Sequence, residues 1–380
     1  MKHLVLAGGG HAHLHILKAL AARRWPDVEV TLVAPHARQI YSGMVPGWMA
    51  GHYRIEQCAA PLGPLARAAG VRFIEDSVGG LAAGKRLVRT AVSGDLAYDA
   101  LSLDTGAEID CSCLAATGAL FLPIRPLENF VVGWTRLLQS LVTQGRAVIA
   151  VVGGGAAGVE LALAARYRLT RELGAANVQV TLVTGPQLLA GHGQRIVARV
   201  AQTLARQGVA IAGGYAAGTP NGLQLDDGRR LDADAVIAAT GVRPAAWLAT
   251  SGLTLAGDGF VAVNQGQQSI SHREVFAAGD VASRIDAPHA KSGVYAVRAG
   301  PALTANLERM LNGLPPLAYQ PQRRSLYLLA TGPQEAIMSW GGVAAGGRWA
   351  WKWKDWIDRR FMSQYHPGNA NRSGEMHESA

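Results

Sequence analysis

Hydrophobic residues along the chain fall into short, β-branched runs separated by longer segments of helix-forming residues. The clearest apolar runs are residues 4–7, 28–33, 148–152 and 178–183. Residues 12–24 and 161–171 follow two of these runs and are rich in alanine, leucine and arginine. Runs of this length predict buried strands, and their alternation with helices predicts parallel sheets in an α/β fold.

Glycine-rich turns follow two of the predicted strands. In such a turn the first glycine permits a sharp bend, the second lets a pyrophosphate approach the backbone, and the third lets the helix pack against the strand. The helix N-terminus then faces an anion. The turn positions are Gly8, Gly10 and His13 in the first copy and Gly153, Gly155 and Gly158 in the second. Two copies predict two dinucleotide sites, although a histidine replaces the third glycine of the first.

Each half of the chain ends in a strand that leads into Thr-Gly. Further strand patterns lie at residues 71–74, 78–88, 98–104 and 233–239, and the last two lead into Thr105-Gly106 and Thr240-Gly241. This internal repeat indicates two domains of one type.

Another predicted strand, residues 273–278, leads into Gly279-Asp280. The carboxylate at this strand end is placed to hold a sugar-alcohol chain. Residues 293–311 then predict a helix with Lys291 beside its N-terminus, which carries partial positive charge. The alternative for Lys291 is a plain surface position.

These elements predict two Rossmann-like dinucleotide-binding domains and a small C-terminal cap. The predicted boundaries are 1–115 with 245–312 for the first, discontinuous domain, 116–244 for the second, 313–365 for the cap and 366–380 for a disordered tail. Within the cap, residues 323–340 alternate like a pair of strands, and residues 346–365 have helical spacing.

The predicted C-terminal helix is amphipathic and rich in tryptophan. Its aromatic stripe consists of Trp349, Trp353, Trp356, Ile357 and Phe361, with Lys352, Lys354, Asp355, Asp358 and Arg359 mostly elsewhere. Trp351 breaks the pattern and is expected to face away from the stripe. Peripheral attachment to a membrane is one interpretation, and a buried cap or a homodimer contact is the other.

Composition excludes several classes of protein. Only 17% of the 380 residues are charged and 49% are hydrophobic, which excludes disorder for most of the chain. The net charge of +9 is scattered and no nucleic-acid motif accompanies it, so we expect no nucleic-acid partner. Three cysteines are too few for a secreted disulfide framework, which indicates a cytoplasmic location, with attachment to the inner membrane face as the alternative.

Clustered histidines and cysteines do not predict a metal site. His11, His13 and His15 lie two residues apart, and such positions on a helix point to different faces. They are expected to be satisfied internally or to face a pyrophosphate. Cys111 and Cys113 are interpreted as structural rather than as a redox pair, because residues two apart rarely close a disulfide comfortably.

The acid that usually binds a ribose is missing from both copies. The strand at 28–33 leads into Ala34-Pro35, so His36 or Arg38 is the substitute that we expect. The strand at 178–183 leads into Thr184-Gly185, which leaves the choice between NADH and NADPH open. Between these units, the loop at residues 41–53, including Gly43, is rich in glycine and aromatic residues. It either lines a flat ring system or forms a packed Ω-type loop.

Taken in this order, the motifs resemble those of the FAD-dependent pyridine nucleotide–disulfide oxidoreductase superfamily. The Gly-Gly-Gly-His-Ala-His start, the Tyr-Ser-Gly-Met-Val-Pro-Gly loop and the tryptophan-rich end resemble the type II NADH dehydrogenase-like flavoproteins that are fused ahead of selenide, water dikinase in some proteins. We expect no kinase domain in this chain. The superfamily's Cys-x-x-x-x-Cys is absent, which argues against disulfide reduction and leaves a small or quinone-like electron acceptor.

The resemblance implies FAD on the first fold and NAD(P)H on the second. The residues implied for FAD are Gly8, Gly10, His11, His13, Arg38, Gly43, Thr105, Gly106, Gly279, Asp280 and Lys291. Those implied for NAD(P)H are Gly153, Gly155, Gly158, Thr240 and Gly241. Glu160 would lie near the nicotinamide, and Lys291 would stabilise the negative charge of reduced flavin, so both are predicted catalytic residues.

The resulting hypothesis is a FAD-dependent NAD(P)H dehydrogenase of the quinone type. Sulfide:quinone oxidoreductase is the alternative enzyme, since the Pro-x-x-Lys-Ser-Gly segment that ends at Gly293 resembles that group as well. The non-enzymatic alternative is a redox sensor that binds flavin and does not catalyse a reaction.

Overall fold

The computed structural model describes residues 1–118, 120–322 and 326–365. The predicted tail at 366–380 and the first residues of the predicted strand pair, 323–325, lie outside the described part of the chain. Two five-stranded parallel sheets form the framework, each with helices packed against it. The predicted α/β class with two Rossmann-like units is thereby confirmed.

The N-terminal segment forms most of the first sheet. Its strands are β1 Lys2–Ala7, β2 Val28–Ala34, β3 Arg38–Ile40, β4 Ala59–Pro61, β5 Arg72–Glu75, β6 Val78–Ala82, β7 Leu87–Thr90, β8 Asp95–Ala97, β9 Ala100–Leu103 and β10 Glu108–Ile109. Its helices are α1 His11–Ala22, α2 Val45–Met49 and α3 Leu62–Ala69. β1 pairs in parallel with β2 and β9, and β2 pairs with β5.

The predicted strand at residues 78–88 is two strands. β6 and β7 form an antiparallel hairpin with β8 on its far side, and a 3-10 turn at Ala83–Lys85 separates β6 from β7. Arg86 closes this turn with a φ of 53°. Apolar residues alternate on both sides of the turn, so the sequence pattern did not indicate that the chain reverses direction there.

The middle segment forms the second sheet. Its strands are β11 Phe121–Pro123, β12 Ala147–Val152, β13 Val178–Val183, β14 Val209–Ala212, β15 Ala216–Thr219, β16 Gly222–Leu225, β17 Arg230–Asp232, β18 Ala235–Ala238 and β19 Val242–Arg243. Its helices are α4 Leu127–Gln144, α5 Ala156–Leu173 and α6 Gln194–Arg206. The strand order is β11-β18-β12-β13-β14, with β15, β16 and β17 in a separate antiparallel sheet.

The chain then returns to the first sheet. The elements are β20 Val261–Val263, β21 Val275–Ala277, β22 Ala282–Arg284 and α7 Gly293–Leu311. β21 pairs in parallel with β9 and completes the order β21-β9-β1-β2-β5. Gly300 of α7 packs close to α1, because a Cβ there would approach the side chain of His15 to 2.8 Å. The predicted domain boundaries themselves stay a prediction.

The last segment covers both cores. It comprises β23 Tyr327–Ala330, β24 Ala336–Trp340, β25 Val343–Gly347 and α8 Arg348–Ser363. The three strands form one antiparallel sheet, so a third strand joins the predicted pair. Because successive residues of a strand point to opposite faces, Ala330 and Ala336 pack into the first core while Leu329 and Ile337 pack into the second.

The structure confirms that Trp351 faces away from the tryptophans of the predicted stripe. Trp351 is buried, together with Lys354 and Asp358, whereas Trp349, Trp353 and Trp356 are 49%, 39% and 57% exposed. Trp351 stacks on Tyr53 at 5.9 Å and meets His52 edge-on, which gives its indole a packed site. Among the described residues, no helix is long and apolar enough to cross a membrane.

Candidate functional site

The first glycine turn joins β1 to α1 and lies against the end of β9. Gly8 has a φ of 98°, a conformation that L side chains rarely adopt. A Cβ at Gly8 would collide with the backbone carbonyl of Asp104, and one at Gly10 would collide with the carboxylate of Asp104. Both positions therefore require glycine, which leaves the N-terminus of α1 close to the strand ends.

Asp104 lies inside this turn, and its role was missed in the sequence. Its Oδ2 accepts hydrogen bonds from the backbone N–H groups of Ala12 at 2.8 Å and His13 at 3.2 Å. The residue is only 4% exposed. Burial raises its pKa to about 7, although the two N–H donors oppose the shift.

The three histidines of α1 have separate environments. The ring of His13 bonds the Gly8 carbonyl at 2.6 Å and the Ser102 hydroxyl at 2.8 Å, so it fixes the turn in place of the third glycine. The ring of His15 bonds Thr304 at 3.1 Å. No group of three metal-ligating side chains is present among the described residues.

His11 is the histidine of α1 whose ring keeps a buried nitrogen without a hydrogen-bond partner. Its Nε2 is buried without a hydrogen-bond partner, as is the hydroxyl of Thr105. Burial lowers the pKa of His11 to about 4, so its imidazole is neutral at physiological pH. The ring lies 5.5 Å from that of Tyr41 and 6.1 Å from that of Phe361. Two unpartnered polar atoms beside a glycine turn fit a polar ligand with a phosphate group.

Asp280, the acid predicted at the end of β21, is paired with a cation. Its carboxylate accepts from the Arg125 guanidinium at 2.7 Å, and the pair is largely buried. Arg125 belongs to the segment between β11 and α4, and its guanidinium also donates to the Ala107 carbonyl. Gly279, with a φ of 68°, packs against Asp104. Sequence reasoning missed Arg125 because its partner lies 155 residues away.

Arg38 and Lys291 have other partners in this structure. Arg38 forms a bidentate ion pair with Glu128 at 2.8 and 3.0 Å. The Lys291 ammonium donates to the Ala282 carbonyl at 2.6 Å and lies 3.8 Å from the centre of the Phe260 ring. The ribose role of Arg38 and the flavin role of Lys291 stay predictions.

The second glycine turn joins β12 to α5. Gly153 has a φ of 137°, and a Cβ there would collide with the Ala239 carbonyl. A Cβ at Gly158 would collide with the carbonyl of Gly153, whereas Gly155 faces open space. Tight packing behind the turn and open space in front of it fit a diphosphate.

The Thr-Gly that follows β18 lies beside this second turn. The Thr240 hydroxyl donates to the Asp110 carbonyl at 2.6 Å, and the carbonyl of Gly241 accepts from the N–H of Asp110. Thr105 and Gly106 occupy the corresponding place after β9, where Gly106 has a φ of 75°. Both predicted Thr-Gly pairs therefore lie at the carboxyl ends of their sheets.

A buried charged cluster connects α8 to both units. The Lys354 cluster consists of Tyr41, Glu160, Lys354 and Asp358. Lys354 donates to Asp358 at 2.8 Å and to the carbonyl of Gly43 at 2.7 Å. Burial, and then the negative charge of Asp358, raise the pKa of Tyr41. Glu160, in the first turns of α5, accepts from the N–H of Ala330 at 2.7 Å.

The pKa values within the Lys354 cluster follow from its burial. Burial raises the pKa of Glu160 to about 7, while Lys354 pulls it down. Burial also raises the pKa of Asp358 against the pull of Lys354. For Lys354, burial lowers the pKa, but the carboxylates of Asp358 and Glu160 outweigh this effect and leave it raised. The cluster therefore holds a fixed cation and a carboxyl group that can exchange a proton near neutral pH.

Comparison with known proteins identifies relatives of this architecture. The chain is 35% identical over 187 residues to a dihydrolipoyl dehydrogenase of Pseudomonas aeruginosa, covering 46% of this chain and 38% of that protein. It is 30% identical over 251 residues to an NADH dehydrogenase-like protein of Mycobacterium tuberculosis, covering 62% of this chain and 61% of that protein. The chain thus spans less than two thirds of the length of either relative.

A solved structure has a similar fold along almost the whole chain. The sulfide:quinone oxidoreductase of Aquifex aeolicus superposes with a TM-score of 0.80 at 19% identity, over 99% of this chain and 94% of that one. Residues 2–300 match the family described as pyridine nucleotide-disulphide oxidoreductase. Since this match includes both glycine turns and Asp280, the chain belongs to the pyridine nucleotide-disulphide oxidoreductase family, which uses the two predicted cofactors, FAD and NAD(P)H.

Proposed function

We propose that the chain is a FAD-dependent NAD(P)H dehydrogenase that passes electrons to a quinone-like acceptor at a membrane surface. The name of the mycobacterial relative, NADH dehydrogenase-like protein, supports the donor. The name of the Aquifex aeolicus protein, sulfide:quinone oxidoreductase, supports the acceptor class. The two glycine turns and the Lys354 cluster supply the physical argument.

The two glycine turns would hold the two nucleotides. Gly8, Gly10 and His11 would hold the diphosphate side of FAD, and Asp280 its ribitol side. Gly153, Gly155 and Gly158 would hold NAD(P)H. When bound, FAD supplies the hydride-accepting and electron-carrying chemistry.

The Lys354 cluster would stabilise the negative charge that forms on the acceptor as it is reduced, and would supply protons to it. A quinone takes up two protons when it becomes a quinol, and side chains must deliver them where water is excluded. Glu160 has a pKa of about 7 and can hold or release a proton on its carboxyl. The ammonium of Lys354, fixed by Asp358 and Gly43, would stabilise negative charge that develops nearby.

The observation that carries the proposal is the contrast between the two faces of α8. The inner face contributes Lys354 and Asp358 to the cluster. The outer face carries an aromatic patch, which consists of Trp349, Trp353 and Trp356. Arg360 lies over the Trp356 ring at 5.4 Å. Tryptophan beside basic residues suits the interface of an anionic bilayer, from which an apolar quinone would arrive. The homodimer contact stays a prediction.

Anaerobic mixing of the purified protein with NADH or NADPH tests the donor. We expect rapid loss of flavin absorbance with at least one nucleotide, and its recovery when a short-chain quinone is added. Gly158→Ala should abolish the bleaching and retain FAD, because the new Cβ would collide with the Gly153 carbonyl. Gly257→Ala, at an exposed position with open space around it, is the matched control.

Two outcomes would contradict the proposal. Absence of bleaching with either nucleotide favours the redox sensor, and bleaching that quinone does not reverse removes quinone as the acceptor. Sulfide chemistry has less support because it needs a reactive thiol. Burial raises the pKa of the Cys58 thiol to about 12. Cys113 lies on a surface turn of the second unit, and Cys111 immediately precedes that turn.

A further inference from the structure

An acidic side chain occupies part of the anion-binding turn of the first unit. The N–H groups of Ala12 and His13, at the N-terminus of α1, already donate to Oδ2 of Asp104. Such N–H groups and the helix dipole attract negative charge, and in this fold they face the diphosphate of the bound dinucleotide. The His11 side chain, on the first residue of α1, is a second polar group here, and its buried Nε2 has no hydrogen-bond partner.

A bound diphosphate would bring a second anion to the same helix end. Asp104 is buried, so little water screens the repulsion between its carboxylate and the diphosphate. Like charges in a shielded site raise the proton affinity of the carboxyl group. Both backbone N–H groups donate to Oδ2, so Oδ1 is the oxygen that can carry a proton. A protonated Oδ1 can donate a hydrogen bond, and the neutral carboxyl group does not repel the diphosphate.

The charged groups that face Asp104 do not remove this repulsion. Asp280 adds another negative charge, and Arg125 is already paired with it at 2.7 Å. His11 and His13 lie on α1, and burial lowers the pKa of each to about 4, so neither provides a cation near neutral pH. Protonation of Asp104 removes the repulsion between its carboxylate and the diphosphate.

We propose that FAD binding to this chain takes up one proton, which is held on Oδ1 of Asp104. The reaction is binding coupled to protonation, in which the solvent supplies the proton and no bond of FAD changes. The inference goes beyond the proposed function, because it concerns the assembly of the holoprotein and holds for any electron acceptor.

Calorimetric titration of the apoprotein with FAD tests the proposal. Measurement in phosphate and in Tris, which differ in ionisation enthalpy, gives the number of protons exchanged. At about pH 8 we expect uptake of about one proton, and above about pH 7 the Kd for FAD should rise by up to about tenfold per pH unit. The diphosphate of FAD stays fully ionised throughout this range and contributes no proton.

Substitutions assign the proton to one residue. Asp104→Asn keeps an oxygen acceptor for Ala12 and His13 but cannot ionise, so proton uptake and the pH dependence of Kd should disappear. Glu29→Gln, at an exposed position on β2 outside the glycine turn, is the control and should retain the uptake. The proposal fails if the wild-type protein takes up no proton, a result that requires no variant to fold, or if Asp104→Asn takes up as much as the wild type.

Discussion

Glu160 illustrates how one half-buried carboxyl group links the protonation of the site to stability. Its pKa is raised by burial from 4.5 to about 7. The folded protein therefore holds a proton that the unfolded chain has released between these pH values. The contribution of this residue to stability is fully present below pH 4.5 and is lost as the pH rises through about 7.

Glu160→Gln should remove this loss. We expect the thermal midpoint of the variant to rise relative to the wild type between about pH 5 and pH 8. The corresponding gain in the free energy of unfolding is up to about 3 kcal/mol. Scanning calorimetry across this range provides the measurement. Glu29→Gln, at an exposed position on β2, is the control and should show no such trend. A constant difference between Glu160→Gln and the wild type would contradict the assignment.

At the residue scale, local chemistry was predictable and distant pairing was not. Gly153 and Gly158 were identified because their spacing alone encodes the turn, and the structure shows why a Cβ cannot fit there. Arg125 and Lys354 act through partners that are 155 and 311 residues away, Asp280 and the carbonyl of Gly43. Nothing in the sequence around either residue specifies such a partner.

At the element scale, α8 shows that helical spacing predicts a helix better than it predicts which face is buried. The helix was predicted at 346–365 and spans Arg348–Ser363. An aromatic stripe normally marks the buried face, but here the ion pair of Lys354 and Asp358 is buried beside Trp351. Burial of this pair satisfies its charges mutually and leaves three tryptophans on the surface.

The exposed tryptophans should control membrane attachment. The triple variant Trp349→Ser, Trp353→Ser and Trp356→Ser should weaken binding to anionic phospholipid vesicles by at least about tenfold, because it removes most of the apolar area that the interface would cover. Cosedimentation with vesicles measures the binding.

A matched triple variant controls for the loss of surface hydrophobicity. Ile211, Tyr215 and Leu314 are also exposed but lie outside the aromatic patch, so their replacement by serine should leave vesicle binding unchanged. Equal losses in both triple variants would contradict a specific membrane-binding surface. NADH-driven flavin reduction should persist in both, since none of the six replaced residues belongs to a glycine turn.

At the scale of the whole molecule, one short segment joins the second unit to the cofactor turn of the first. Arg125 pairs with Asp280, and Glu128, at the start of α4, pairs with Arg38. The Arg38–Glu128 pair crosses the predicted boundary at 115/116, and the Arg125–Asp280 pair crosses the one at 244/245. The two parallel sheets were predictable from their apolar runs, but these pairs were not, because they depend on how the two units face each other.

Loss of the Arg125–Asp280 pair should destabilise the molecule. Arg125→Met leaves a largely buried carboxylate unpaired, which costs about 1–3 kcal/mol and should lower the thermal midpoint by about 2–5 °C. Glu108→Gln breaks the Glu108–Arg243 pair, whose side chains are 47% and 55% exposed, and should cost less than about 0.5 kcal/mol. Fluorimetric melting of both variants checks the difference, and equal midpoints would refute it.

The return of the chain to its first sheet bears on the order of assembly during synthesis. All five strands of the second sheet lie between residues 121 and 238, so that sheet can close as soon as this stretch leaves the ribosome. The first sheet lacks its edge strand until β21, Val275–Ala277, emerges. The first sheet therefore stays incomplete while the second unit, which is translated later, folds. Nascent chains that end before β21 would expose the unpaired edge of β9.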